Sequence, residues 1–269
     1  MHLFEKDPSG SMLKFLCETK EEASLFFRDV SVKAMFKEDL SPIISLEEDI
    51  RTLKTGLKVK YLKIDSYTQG ISDKEYFLAG DFSKIGDRTV LGIGHGVQVD
   101  EIQTFNKRLI IDQLIIWQPD KKNKIYVSHE SIHDVIDDIL YNLFISRASF
   151  DQLESQLIIE KLSRAGIKTD NHNINDDDYT FLRTLMDLGL VWTYPFDLLK
   201  KEAMTVRYFQ KRRRVDHTNT TSKDVLDVVC ALARLLYKED VKSDISMDTV
   251  QEKQVDFSTD WSVLIPNLI

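Results

Sequence analysis

Residues 124–138 have the sequence KIYVSHESIHDVIDD, and the secondary structure that the chain predicts changes within them. Short strand-like runs of apolar residues precede this stretch, whereas apolar residues spaced by three and four, as on one face of a helix, follow it. The stretch also contains His129-Glu130-Ser131-Ile132-His133, which has the spacing of a zinc-hydrolase motif. We therefore predict a boundary between two structural halves near residue 128, with a candidate catalytic motif beside it.

The residues before this boundary predict a small, mainly antiparallel sheet. Residues 57–64 alternate apolar and cationic side chains, which is typical of a strand with one face in water. Strand-like runs continue through residues 75–99, and a turn with a proline and an aspartate predicts a hairpin between 108–117 and 124–127. The N-terminal half, residues 1–127, is accordingly predicted to be an α+β domain.

The residues after the boundary predict helices. Apolar residues recur every three and four positions over 131–144, 150–165 and 176–188, and a glycine follows each of the last two segments. A short apolar run at 190–194 then predicts a strand that Pro195 ends. The C-terminal half of the predicted α+β fold is therefore helical.

Three helices followed by a strand resemble a winged-helix domain, in which the strand begins the wing. The resemblance covers about residues 131–196, and a generic helical bundle is the alternative. Either arrangement gives a helical domain over residues 128–240. A polar linker and an apolar C-terminal tail follow over residues 241–269.

The composition restricts the compartment and the partners. With 36 basic and 44 acidic residues, the net charge of −8 argues against a protein whose whole surface binds nucleic acid. The two cysteines, Cys17 and Cys230, are too few for a disulfide framework. The sequence shows no secretory signal and no apolar stretch long enough to cross a bilayer. We expect a cytoplasmic protein, or a nuclear one in a eukaryote, with no membrane contact.

The motif at residues 129–133 would bind zinc if both imidazoles lay on one helix face. Residues four positions apart lie side by side on a helix, and Glu130 would then act as the base that activates a zinc-bound water. The third ligand would be Glu154 on the next helix, with Glu160 and Asp137 as alternatives. This hypothesis predicts a zinc-dependent hydrolase, in which His129 and His133 are ligands and Glu130 is catalytic.

Two features argue against zinc. Short patterns of this kind arise by chance in many proteins. Ser128 is also a natural N-cap, which would leave His129 on the first helical turn, beside the positive end of the helix dipole. The alternative is that both histidines are ordinary polar residues near a turn from strand to helix, and that the protein needs no cofactor.

A second metal-site hypothesis concerns Asp112, an acidic residue on an apolar strand that a hairpin follows, as in PD-(D/E)xK nucleases. Such a site needs an acidic residue and a lysine two positions apart on the next strand. Residues 125–129, IYVSH, supply neither. This nuclease site is therefore incomplete unless Glu130 substitutes.

A cationic segment between residues 200 and 214 contrasts with the acidic chain as a whole. Its basic side chains could hold phosphates, and its aromatic residues could stack on a base. The alternative is a solvated segment that pairs with acidic neighbours such as residues 176–178. The candidate nucleic-acid-binding residues are Lys200, Lys201, Arg207, Tyr208, Lys211, Arg212, Arg213 and Arg214.

Three aspartates, residues 176–178, begin the helix that would enter the DNA groove in a winged-helix domain. Since phosphates repel carboxylates, we expect this face to meet a protein partner. The sequence thus favours a non-enzymatic accessory protein that binds a protein partner, with nucleic acid as a further partner through residues 200–214. The zinc-dependent hydrolase is the alternative function.

Overall fold

The computed structural model describes residues 25–68, 74–82, 88–102, 105–151, 156–209, 214–217 and 222–237, and helices alternate with strands between residues 125 and 209. The helices are α1 (Asp29–Met35), α2 (His129–Asn142), α3 (Gln156–Arg164), α4 (Asp176–Asp187), α5 (Asp197–Thr205) and α6 (Asp224–Tyr237). The strands are β1 (Ile44–Thr52), β2 (Lys58–Tyr67), β3 (Glu75–Asp81), β4 (Thr89–Ile102), β5 (Phe105–Trp117), β6 (Ile125–Val127), β7 (Phe144–Phe150), β8 (Lys168–Asn171), β9 (Val191–Thr193), β10 (Arg207–Phe209) and β11 (Arg214–Asp216).

One six-stranded sheet takes strands from both halves of the chain, in the order β8-β7-β3-β4-β5-β9. Strands β3, β4 and β5 form an antiparallel meander, β7 and β8 run parallel to β3, and β9 runs parallel to β5. The sheet therefore crosses the predicted boundary at residue 128. The prediction of an antiparallel N-terminal half and a helical C-terminal half is wrong, because β7, β8 and β9 complete the same sheet.

The centre of this sheet is covered on both faces. In β3, the consecutive residues Tyr76, Phe77, Leu78 and Ala79 are all buried, and β5 is buried along most of its length. A strand that is apolar on both sides is typical of a sheet with helices on each face. Helices α1, α4, α5 and α6 cover one face, and α2, α3 and the small sheet β1-β2-β6 cover the other.

Helix α6 lies very close to the sheet because β4 carries glycines where the helix crosses it. A Cβ at Gly92 would lie 2.5 Å from Val228 Cγ1, and one at Gly96 would lie 2.5 Å from Leu236 Cδ1. A larger residue at Gly92 would require Val228 and its helix to shift, whereas one at Gly96 would displace the end of the Leu236 side chain. The glycine-rich strand thus fixes how deeply α6 sits over β3 and β4.

Several local predictions are changed by long-range pairing. Helix α2 forms as predicted, with the Ser131 backbone N–H donating to Ser128 Oγ at 3.2 Å. Strand β6, however, pairs in parallel with β2 instead of forming a hairpin with β5. Strand β9 pairs with β5 and begins no wing, so the winged-helix prediction is wrong. Within the described ranges, no helix is both long and apolar enough to span a membrane.

Candidate active site

Two aspartates leave the sheet side by side at one edge. Asp81 is the last residue of β3, and Asp151 directly follows β7. Strands β3 and β7 run parallel, and Gly80 lies opposite Phe150. The next residues, Asp81 and Asp151, therefore lie side by side at the same edge of the sheet. The Asp151 backbone N–H donates to the Gly80 carbonyl at 3.4 Å, which ties the two ends together.

Helix α6 brings two more carboxylates to this edge. Asp224 and Asp227 lie in its first turn. The cleft that the helix forms with the sheet has a volume of about 310 Å³. It is lined by Gly80, Asp81, Ser149, Phe150, Asp151, His172, Asn173, Ile174, Lys223, Asp227, Val228 and Ala231.

The cleft has an excess of negative charge. The pKa of Asp81 rises to about 7, first because the carboxyl is buried and then because Asp227, Asp224 and Asp151 repel its charge, while Lys223 partly opposes this rise. Burial also raises the pKa of Asp227. Carboxylates that raise the pKa of Asp81 in this way favour a cation or a proton at that group.

Side chains around Asp227 hold it in place. The Tyr179 hydroxyl donates to Asp227 Oδ1 at 2.5 Å, and Lys223 Nζ lies 3.3 Å from the same oxygen. Both contacts favour the ionised carboxylate and oppose the effect of burial on its pKa. The second oxygen, Oδ2, takes part in neither contact.

A buried glutamate from α5 fixes the start of α6. Glu202 is 2% exposed, and its Oε2 accepts hydrogen bonds from the backbone N–H groups of Val225 and Leu226 at 3.0 and 3.1 Å. Its Oε1 accepts from Ser222 Oγ at 2.9 Å and from Arg88 at 2.8 Å. These donors include orphan N–H groups of the first turn, which carries Asp224 and Asp227.

The donor set fits a hard divalent cation. Asp81, Asp151 and Asp227 line the cleft, and Mg²⁺ prefers oxygen ligands such as carboxylates. Among the described residues, no three His, Cys, Asp or Glu side chains form a ready-made ion cage. Mg²⁺ does not require one, because it keeps several waters and usually takes one or two carboxylates together with substrate phosphates.

The residues of the predicted zinc motif lie elsewhere. His129 and Glu130 are exposed on the first turn of α2, and His133 is half-buried. The pKa of His133 is lowered by burial and by the nearby Lys161. Glu154, the predicted third ligand, lies outside the described residues, and within them no trio of possible ligands includes the two histidines.

The described residues among the predicted nucleic-acid-binding residues are divided between one helix and a pair of strands. Lys200 and Lys201 are exposed on α5, the helix that supplies Glu202. Arg207 and Tyr208 belong to β10 and Arg214 to β11, which pair as a hairpin. Lys211, Arg212 and Arg213 lie outside the described residues. Nucleic-acid binding by this segment stays a prediction.

The four cleft aspartates were missed by the sequence analysis. Asp81 ends the apolar run YFLAGD, and Asp151 ends ASFD, so each follows a strand without an intervening turn. An acidic residue directly after an apolar strand is the signal that could have found them, since functional groups often follow the carboxyl ends of strands. Asp224 and Asp227 carry no such signal, because they look like ordinary N-terminal helix residues.

Comparisons with known proteins identify the fold. No family model and no curated protein matches the sequence. The large terminase nuclease of the thermophilic phage G20c, solved with bound magnesium, aligns over 80% of this chain and 100% of its own, with 14% identity and a TM-score of 0.50. The large terminase of bacteriophage HK97 aligns over 84% of this chain and 48% of its own, with 11% identity and a TM-score of 0.50.

A large terminase from another thermophilic bacteriophage aligns over 60% of this chain and 40% of its own, with 15% identity and a TM-score of 0.46. This chain therefore spans the whole G20c nuclease but less than half of each of the two longer terminases. The prediction of a non-enzymatic accessory protein is wrong, because the solved structures with this architecture are nucleases and terminases. The fold of this chain is that of a phage large terminase nuclease.

Proposed function

We propose that this protein is a metal-dependent nuclease that hydrolyses phosphodiester bonds in DNA. The observation that carries the proposal is the meeting of Asp81, Asp151 and Asp227, from two strands and a helix, at one cleft of a fold shared with the magnesium-bound G20c nuclease. The carboxylates of Asp151 and Asp227 raise the pKa of Asp81, so the charges at this cleft repel one another. Their mutual repulsion is relieved when a divalent cation binds.

In this proposal, Asp81, Asp151 and Asp227 hold Mg²⁺. When bound, the metal supplies an activated water and stabilises the charge that develops on the phosphate oxygens. Tyr179 and Lys223 favour the ionised form of Asp227 and orient its carboxylate. Lys223 also lines the cleft, where its ammonium group can attract the phosphate that is to be cut.

DNA is the substrate class that we propose, since the solved structures with this fold are phage large terminases and a terminase nuclease. Lys200 and Lys201 belong to the helix that supplies Glu202, so part of the predicted cationic segment lies near the start of α6. The cytoplasmic location expected from the sequence suits a DNA substrate. The predicted protein partner remains a prediction.

Cleavage of plasmid DNA tests the function. Purified protein should nick or linearise the plasmid with Mg²⁺ or Mn²⁺, and EDTA should stop the reaction. Asp81→Asn and Asp227→Asn should each lower the rate by about 100-fold or more, because each removes a charged ligand. Asp65→Asn, which changes an exposed carboxylate on β2, is the matched control and should cut normally.

Two results would contradict the function. One is cleavage that persists in EDTA, and the other is full activity in Asp81→Asn. Binding of Mn²⁺ by calorimetry gives a readout that does not depend on turnover, and Asp81→Asn should weaken it while Asp65→Asn should not.

A further inference from the structure

An exposed cationic surface lies on the other side of the sheet from Lys200 and Lys201. It is formed by the end of the β1–β2 hairpin and by the loop before β6. Residues 50–60 and 118–127 together contain seven cationic residues and one acidic residue, in a chain whose net charge is −8. The surface residues are Lys54, Lys58, Lys121, Lys122 and Lys124, and all five are exposed.

Strand pairing joins the two segments. Strand β6 runs parallel to β2, with Lys58 opposite Ile125 and Lys60 opposite Val127. The lysines of the loop therefore stand next to those at the start of β2. The Ser128 backbone N–H donates to the Lys60 carbonyl at 3.2 Å and extends this link into α2.

The one acidic residue within the surface, Asp120, uses its carboxylate for hydrogen bonds within the turn. Asp120 accepts hydrogen bonds from the Asn123 backbone N–H at 3.0 Å and from Asn123 Nδ2 at 2.6 Å. These bonds lower the pKa of Asp120, which keeps it ionised as part of the turn. Lys60 is paired with Glu48 at 2.8 Å and Arg51 with Asp49 at 3.4 Å, and neither is counted among the surface residues.

Arg88 connects this surface to the cleft. Its Nε donates to Gln118 Oε1 at 2.6 Å, at the start of the cationic loop. Its Nη1 donates to Glu202 Oε1 at 2.8 Å and lies 3.7 Å from Asp224 Oδ2. One side chain thus spans from the loop to the first turn of α6, so the loop lies at the same edge of the sheet as the carboxylates.

We propose that this surface binds the phosphate backbone of duplex DNA beside the cleft, which rests on the proposed nuclease function. The cleft is acidic and repels phosphates unless a cation is bound, so the DNA must be held by groups around it. Duplex DNA carries one negative charge for every ~1.7 Å of its axis, so a segment that reaches the cleft places several phosphates over neighbouring surfaces. Exposed lysines next to the catalytic edge are suited to neutralise them.

The salt dependence of DNA binding tests the surface. Binding of a fluorescent duplex is measured by anisotropy in EDTA, so that cleavage does not interfere. Each phosphate contact adds ~0.9 to the slope of log Kd against log salt concentration. The triple variant Lys121→Gln/Lys122→Gln/Lys124→Asn should lower this slope by about two to three and weaken binding by about tenfold. Asparagine is chosen at Lys124 because the backbone φ there is 55°.

A second variant and a control separate this effect from a general loss of charge. Lys54→Gln/Lys58→Gln at the hairpin should lower the slope by about two on its own. The control Lys33→Gln/Lys74→Gln/Arg164→Gln removes three exposed charges from α1, the residue before β3 and the end of α3, and should leave the slope unchanged.

The outcomes distinguish this surface from the catalytic proposal. Equal slopes for the wild type, both surface variants and the control would refute DNA binding by this surface, even if the protein cuts DNA. A wild type that shows no binding at low salt would also overturn it. Conversely, salt-dependent binding that the surface variants weaken would support the surface even if no cleavage occurred, in which case the catalytic proposal alone would fail.

Discussion

Asp112 and Asp81 lie in the same sheet, on β5 and β3, but their surroundings are opposite. Asp112 is 6% exposed, and its Oδ2 lies 2.6 Å from Nδ1 of the buried His95. Asp81 opens into a cleft, where burial and the charges of Asp151, Asp224 and Asp227 raise its pKa to about 7. One carboxylate has a partner within the fold, whereas the other is surrounded by like charges.

This difference separates a structural acid from a functional one. A buried carboxylate that is paired stabilises its surroundings, and its loss leaves a polar partner unsatisfied. A carboxylate among other carboxylates destabilises the free protein, and in the proposed nuclease a bound cation would offset that repulsion. Asp112 was the candidate in the sequence because it interrupts an apolar strand. The residue that lines the cleft is instead Asp81, at the end of its strand.

The largest expected change in stability tests this comparison directly. Asp112→Asn should lower the free energy of unfolding by about 2–3 kcal/mol, because a neutral amide replaces the carboxylate that accepts from Nδ1 of the buried His95, and hydrogen bonds to charged groups are the stronger ones. Asp81→Asn should cause no such loss, since it removes repulsion. Urea unfolding at pH 8 measures both variants, and a loss of stability in Asp81→Asn as large as that in Asp112→Asn would refute the comparison.

Local sequence patterns predicted the strands β2, β3, β4 and β5 and the capped helix α2, because alternation, helical spacing and a serine N-cap are short-range signals. They did not predict β7. The helical spacing of α2 continues through Leu143 into Phe144, the first residue of β7. The remaining sequence, ISRASF, is too short to predict a strand by its pattern of apolar residues. The cleft was missed for a related reason: Asp81 and Asp151 are far apart in the sequence, and only the parallel pairing of β3 and β7 brings them together.

Glu202 is as buried as Asp112, but it supports the helix turn beside the cleft. Glu202→Gln keeps the shape but removes the charge that faces Arg88 and the first turn of α6. We expect a loss of about 2 kcal/mol in the free energy of unfolding, typical of charged hydrogen bonds and helix caps. Because α6 carries Asp224 and Asp227, the affinity for Mn²⁺ should also fall several-fold.

A control on the same helix separates capping from general damage to α5. Thr205→Ala removes side-chain bonds to the backbone carbonyls of Lys201 and Glu202 but leaves the Glu202 carboxylate and its bonds to α6 in place. It should leave Mn²⁺ affinity unchanged. If Glu202→Gln binds Mn²⁺ as tightly as Thr205→Ala, then Glu202 stabilises the fold without positioning the cleft.

The smallest effect is a pH dependence that Asp81 imposes on stability. The pKa of Asp81 is about 7 in the folded protein and near 3.8 when unfolded, so the folded state binds the proton more tightly. Stability should therefore fall as the pH rises from about 4 to 7, and Asp81→Asn should lack this part of the fall. We expect a difference of about 1–2 kcal/mol, below the roughly 4 kcal/mol of the full shift, because the cleft is open to solvent. Urea unfolding between pH 4 and pH 8 gives the change of the unfolding free energy with pH, with Asp65→Asn as the control.

Mg²⁺ should remove the difference between wild type and Asp81→Asn at pH 8, because the bound cation offsets the repulsion among the carboxylates. Identical pH dependence of stability in wild type and Asp81→Asn would show that the cleft carries no excess charge.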